Sequence, residues 1–117
     1  MENNSLLNVA KSFAAEIAVW SENEQNDFMF KDELVRGALN MGALLHAAQF
    51  DVNKEAFEFK LARALEECAL VEYWLEIVCA MEKLDAEKLT SLKSKAVAIR
   101  RTLLKICVLL KKKEKIQ

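Results

Sequence analysis

The chain has 117 residues, 53% of them hydrophobic, with no proline and only two glycines. This length matches one domain with enough apolar material for its own core, and the scarcity of Pro and Gly disfavours sheets and tight hairpins. The net charge is only −1, so its distribution along the chain is more informative than its total. We expect one all-α domain over residues 1–117.

The cysteines and the N-terminus indicate the compartment. Cys68, Cys79 and Cys107 are odd in number, and the first two would lie about three turns apart on one helix, beyond disulfide reach. The polar start from Met1 to Ser5 lacks the features of a signal peptide. No stretch approaches the roughly 20 consecutive apolar residues of a membrane span. We therefore expect a soluble, cytoplasmic protein with reduced thiols and no membrane partner.

The first two predicted helices each carry an apolar stripe at helical spacing. Helix 1 runs from about Ser5 to Glu24, and its stripe is Leu6, Ala10, Phe13, Ile17 and Trp20. Helix 2 runs from about residue 28 to residue 49, with Asp27 as its expected N-cap. Its stripe is Phe30, Leu34, Gly37, Met41, Leu45 and Ala48.

The next two helices have clearer starts. Asn53 is an expected N-cap, with Val52 and Phe57 placed to form a hydrophobic staple, and helix 3 then runs to about Met81. Asp85 repeats the pattern and opens helix 4, which reaches the lysine-rich C-terminus. The stripe of helix 3 is Phe57, Leu61, Ala64, Cys68, Val71, Leu75 and Val78; that of helix 4 is Leu89, Leu92, Ala96, Ile99, Leu103, Ile106 and Leu110.

The connections between these helices are too short to return the chain to the end from which it came. Successive helices must therefore alternate in direction. The sequence predicts an antiparallel, up-down-up-down four-helix bundle.

Helix 3 carries a second set of apolar residues, on the side roughly opposite its core stripe. The set is Phe59, Leu70, Tyr73, Trp74, Ile77 and Met81. Six such residues at helical spacing are typical of an interface, so self-association is the favoured interpretation. The alternative is a helix buried on two sides within its own subunit.

Charge is distributed unevenly along the chain. Residues 1–85 carry a net charge of −9 and residues 86–117 a net charge of +8. A basic last helix packed beside acidic helices explains this asymmetry, and Glu16, Glu67 and Glu76 are the expected acidic neighbours. The alternative is weak, salt-sensitive nucleic-acid binding through helix 4. The residues that would serve it are Arg100, Arg101, Lys105, Lys111, Lys112 and Lys113.

The sequence offers little for catalysis or for a cofactor. A di-metal bundle needs Glu-x-x-His pairs, but His46 is the only histidine and Ala43 stands three residues before it. Cys68 lies in the core stripe, with no basic group evident beside it to activate its thiol. We predict no catalytic, cofactor-binding or metal-binding residues and no enzymatic activity.

Several phrases resemble the bacterial four-helix bundle protein family. The most specific is Glu72-Tyr73-Trp74-Leu75-Glu76, preceded by Ala64-Leu65-Glu66-Glu67. Weaker matches are Ser12-Phe13-Ala14, Glu33-Leu34-Val35-Arg36, Gly42-Ala43 and Asn53-Lys54-Glu55-Ala56-Phe57. This family includes proteins encoded in intervening sequences of large ribosomal RNA genes, and it is similar to the accessory protein of diversity-generating retroelements.

The resemblance implies a homo-oligomeric ring, typically a pentamer, without known catalysis, and nucleic-acid binding in the retroelement branch. This chain departs from the family at two polar positions of helix 2, where it has Leu44 and Ala47. It also has Leu70 and Val71 where relatives often show polar residues. We expect a non-catalytic oligomeric scaffold or adaptor that binds itself and an unidentified protein, with a nucleic-acid accessory role as the alternative.

Overall fold

The protein consists of four α-helices. A computed structural model describes the backbone of residues 2–116 and the side chains of residues 5–113. Within it, α1 spans Glu2–Ser21, α2 Lys31–Ala48, α3 Lys54–Met81 and α4 Ala86–Ile116. No β-strand occurs in residues 2–116. The all-α prediction is confirmed, with helix boundaries that differ from the expected ones by a few residues.

The helices form an antiparallel bundle that measures 51 × 25 × 23 Å. Each helix packs against the helices before and after it in the chain, and α1 closes the bundle by packing against α4. The α1/α2 side of the bundle is therefore opposite the α3/α4 side. This arrangement confirms the predicted up-down-up-down topology.

One apolar core runs along the bundle axis. None of the polar or charged side chains within residues 5–113 is buried. Phe57, Ile106 and Leu110, which the stripes also predict to be core residues, are only partly buried because they lie near one end of the bundle. The largest fully buried side chains are Phe13, Ile17, Leu34, Met41, Leu75, Leu89, Leu92, Ile99 and Leu103.

The starts of α3 and α4 have the expected caps. The Asn53 side-chain oxygen accepts hydrogen bonds from the backbone N–H groups of Glu55 (2.8 Å) and Ala56 (3.2 Å). The Asp85 carboxylate accepts one from the N–H of Glu87 (3.0 Å). These bonds satisfy backbone donors that have no partner inside the helix. The staple at α3 is wrong, however, because the Val52 side chain is fully exposed.

The start of α2 also differs from the prediction. Asp27 does not cap this helix, which begins four residues later, at Lys31, and its N-cap residue Phe30 makes no side-chain cap bond. Phe28 and Phe30 instead pack against each other, with ring centroids 4.8 Å apart. Phe28 also packs against Trp20, at 6.0 Å. Burying these aromatic rings holds residues 28–30 outside the helix.

Candidate oligomer interface

The second apolar set of α3 is only partly exposed. Phe59, Leu70 and Tyr73 are 63%, 45% and 52% exposed. Trp74, Ile77 and Met81 are half-buried within the subunit. The structure thus leaves three of the six predicted interface residues open to solvent.

Trp74 has a partner within its own subunit. Its ring lies 5.3 Å from that of Phe30, centroid to centroid, at the start of α2. It therefore extends the aromatic cluster formed by Trp20, Phe28 and Phe30. For this residue, the sequence-based placement on an exposed face is wrong, because the segment before α2 covers one side of the indole.

Helix α4 adds exposed apolar residues to the same side of the bundle. Leu104 and Val108 are 45% and 44% exposed, and they follow Arg100 on α4 by one and two turns. Arg100 is bonded to Glu72 of α3. The two apolar side chains therefore lie on the part of α4 that adjoins α3, away from the side that faces α1.

We call Phe59, Leu70, Tyr73, Leu104 and Val108 together the α3/α4 apolar face. The apolar residues of α4 on this side were not predicted from the sequence. A signal was present, since Val97, Leu104 and Val108 recur at spacings of seven and four residues, which is a second helical stripe.

A groove lies on the opposite side of the bundle, between α1 and α2. Its volume is about 680 Å³, and small residues form much of its wall. A Cβ atom added to Gly42, in this wall, would approach its nearest neighbours only to 3.9 Å, which is ordinary van der Waals contact. Packing within the subunit therefore does not require a glycine there. The wall includes Ala14, Ala15, Leu39, Gly42 and Ala43.

Ion pairs connect basic α4 to its acidic neighbours. Glu16 of α1 accepts from Lys88 at 2.6 Å and from Lys95 at 2.7 Å. These two hydrogen bonds lower the pKa of the Glu16 carboxyl. Lys93 lies 3.5 Å from Glu76 of α3. Glu16 and Glu76, two of the three expected acidic neighbours, thus lie beside α4.

Glu67 does not face α4 as expected. Its carboxylate lies 3.8 Å from Arg63, on the same helix, and 3.5 Å from the Asn40 amide of α2. Glu72 takes the position beside α4, where it accepts from the Arg100 guanidinium at 3.2 Å through Nη2. This bond raises the pKa of Arg100. The register of α3 against α4 decides which glutamate meets the basic helix, and periodicity alone does not reveal that register.

The residues proposed for nucleic-acid binding are not equivalent in the structure. Arg100 is engaged by Glu72 and only partly exposed. The others are exposed: Arg101, Lys105, Lys111, Lys112 and Lys113. The set thus loses one of its two arginines to an intramolecular contact.

The residues considered for chemistry are distributed over the bundle. Exposed His46 packs its ring against Phe50 at 5.5 Å and lies 3.4 Å, through Nδ1, from the Gln49 amide. Burial raises the pKa of Cys68 to about 12, and it also raises the pKa of Cys107. Neither thiol is thus poised to ionise near neutral pH. In the described part of the chain, no cluster of His, Cys, Asp and Glu is arranged to hold a metal ion, and no helix is long and apolar enough to cross a membrane.

No protein-family profile and no curated protein matches the sequence. Among solved structures, the fold is similar to that of a Bacteroides thetaiotaomicron protein of unknown function, described as belonging to the S23 ribosomal protein family. The TM-score is 0.84 at 27% sequence identity, and the match covers 92% of this chain and 98% of the other. The likeness supports a compact four-helix bundle over nearly its whole length.

Proposed function

We propose that the protein is a non-catalytic, homo-oligomeric scaffold whose subunits associate through the α3/α4 apolar face. The observation that carries this proposal is the exposure of five large apolar side chains on one side of a bundle whose core is otherwise complete. Several exposed large apolar side chains on one side of a subunit are typical of protein–protein interfaces.

The two opposite sides of the subunit suit head-to-tail association. The α3/α4 apolar face presents bulky side chains, whereas four small residues, Ala14, Ala15, Gly42 and Ala43, form part of the wall of the α1/α2 groove. An interface between two different faces closes into a ring when the rotation between subunits permits it. A pentameric ring with the α3/α4 face of each copy in the groove of the next is our proposed assembly.

A proposed family membership is consistent with the same assembly. We propose that the chain belongs to the bacterial four-helix bundle protein family, on the resemblance around Tyr73 and Trp74 and on its likeness to the Bacteroides protein. We further propose a cytoplasmic location, in which its free thiols stay reduced. The ring would present its outer surface to a second, unidentified protein.

Nucleic-acid binding through α4 is the competing proposal. It is favoured by the exposure of Arg101, Lys105 and the lysines at 111–113. It is disfavoured by the engagement of Lys88, Lys93, Lys95 and Arg100 with carboxylates of α1 and α3. Since few phosphate contacts remain, binding to duplex DNA or RNA should be lost between low and physiological salt.

Light scattering during gel filtration tests the assembly. At micromolar concentration, we expect a mass near five times the 13.3 kDa of the subunit. A pull-down on duplex DNA and RNA at two salt concentrations separates the two proposals. A 13.3 kDa species contradicts the scaffold, and binding that survives physiological salt would favour the nucleic-acid role.

A further inference from the structure

One end of the bundle combines exposed apolar side chains with lysines. The α2–α3 connection and the C-terminal turns of α4 meet at this end, since Glu55 and Glu58 line one cavity together with Leu110 and Lys111. Three apolar side chains there are open to solvent, with Phe50 70%, Val52 fully and Leu109 55% exposed. We call this region the basic end.

An ion pair and backbone hydrogen bonds hold the α2–α3 connection in place. Lys60 donates to both carboxylate oxygens of Asp51, at 2.9 Å each. The backbone N–H groups of Phe50 and Asp51 donate to the carbonyls of Ala47 and Ala48, both at 3.1 Å. The loop is therefore anchored at Phe50 and Asp51, while the side chains of Phe50 and Val52 are exposed to solvent.

Charge is polarised along the bundle axis. At the basic end, residues 49–60 and 105–113 carry six lysines against three acidic residues, a net charge of +3. At the opposite end, residues 21–33 and 76–87 carry nine acidic residues against two lysines, a net charge of −7. An extended anionic surface would attract the basic end and repel the other, so it would orient the molecule.

We propose that the basic end docks on an anionic lipid surface. Lys54 and the three lysines at 111–113 would contact lipid phosphates, while Phe50 and Val52 enter the boundary between headgroups and acyl chains. The sequence predicts no membrane partner, and it predicts that Val52 packs on Phe57. In the structure the Val52 side chain is fully exposed instead, and this exposure is our reason for proposing a lipid contact.

A lipid surface fits this end better than nucleic acid does. Nucleic acid offers phosphates for the lysines, and its bases stack on aromatic or guanidinium planes. Phe50 offers such a plane, but Val52 and Leu109 are aliphatic and do not. A bilayer offers both phosphates and an apolar layer beneath them, so it accounts for both kinds of side chain.

Vesicle co-sedimentation of the full-length protein tests the proposal. The probes are vesicles of phosphatidylcholine alone and of phosphatidylcholine mixed with phosphatidylglycerol, at low and physiological salt. We expect binding only to the anionic vesicles, weaker at higher salt. Phe50→Ser with Val52→Ser should lower the partition coefficient by about tenfold or more, as should Lys111→Gln, Lys112→Gln and Lys113→Gln together.

Met29→Ser is the matched control. Met29 is 96% exposed at the acidic end, so its loss should leave vesicle binding unchanged. Absence of binding to anionic vesicles overturns the proposal, as does an equal loss in the Met29 variant or full binding by the Phe50/Val52 double variant. Lysine-dependent capture of RNA without vesicle binding also overturns it.

The lipid contact and the proposed assembly can be tested separately. Light scattering of each variant reports the oligomeric mass, which substitutions at the exposed basic end should not alter. A monomer that binds anionic vesicles would contradict the scaffold and support the lipid contact. An oligomer that does not bind anionic vesicles would support the scaffold and contradict the lipid contact.

Discussion

At the scale of single residues, Cys68 shows how packing decides the chemistry of a side chain. Its thiol is fully buried between α3 and α4 and donates to the Ala96 carbonyl at 3.3 Å. Burial is the main cause that raises its pKa from 9.0 to about 12; nearby Glu72 raises it further, and Arg100 opposes them. The sulfur is therefore a satisfied core atom, not a nucleophile.

This pKa has a consequence for stability at alkaline pH. Above about pH 9 the Cys68 thiol ionises in the unfolded chain but stays protonated in the folded one. Ionisation of this thiol thus favours the unfolded chain. The stability that comes from keeping Cys68 protonated is complete below about pH 9 and is lost as the pH rises toward 12. Urea unfolding across that range should show a steeper decline in the wild type than in Cys68→Ala. Parallel declines would show that the thiol does not contribute.

Tyr73 and Trp74 are adjacent in sequence but have different surroundings. Tyr73 is half exposed on the α3/α4 apolar face, whereas Trp74 packs against Phe30. Helical periodicity places both on one broad side of α3, and it cannot reveal that a segment from another helix covers only one of them. The Tyr73 ring also contacts that of Trp74, 5.4 Å away between centroids, but it is not part of the core. A substitution at Tyr73 therefore tests the interface with less disturbance of the subunit than one at Trp74.

At the scale of elements, the two glycines of α2 differ in the space around them. A Cβ added to Gly37 would lie 2.8 Å from Cγ2 of Val71, a fully buried β-branched side chain on α3. Gly37 therefore sets how closely α2 and α3 approach. Gly42 faces the open α1/α2 groove and has no such neighbour within the subunit.

The corresponding alanine variants should differ in stability. Gly42→Ala should raise the free energy of unfolding by up to about 1 kcal/mol, since alanine is the better helix former. In Gly37→Ala, overpacking against Val71 costs about 1–3 kcal/mol and cancels or exceeds that gain. Urea denaturation followed by circular dichroism measures both variants. Equal stabilisation by the two substitutions would contradict the close approach of α2 to α3.

At the scale of the whole molecule, the sequence was sufficient for the fold. Unbroken apolar stripes predict four helices, and the caps Asn53 and Asp85 place two of their starts correctly. The start of α2 could not be predicted from the sequence, because it depends on contacts between distant segments. Phe28 and Phe30 pack on Trp20 and Trp74, and α2 therefore begins later in the chain than predicted, at Lys31.

The candidate interface also depends on contacts between distant segments. Periodicity found Phe59, Leu70 and Tyr73 on α3 but could not combine them with Leu104 and Val108, since the register of α3 against α4 is fixed by tertiary packing. The Glu72–Arg100 contact reveals that register only once the bundle is assembled.

The most direct test of the proposed assembly is the solution mass of Tyr73→Lys beside that of the wild type. A lysine buried in an apolar interface is costly, while the core of the subunit does not involve this side chain. We expect the wild type to be a multimer and the variant to fall to the 13.3 kDa subunit with unchanged helicity by circular dichroism. Met29→Lys places the same charge at an exposed residue that belongs to neither face, and it should keep the wild-type mass. A Tyr73→Lys variant that retains the wild-type mass, or a wild type that is already monomeric, would contradict association through the α3/α4 apolar face.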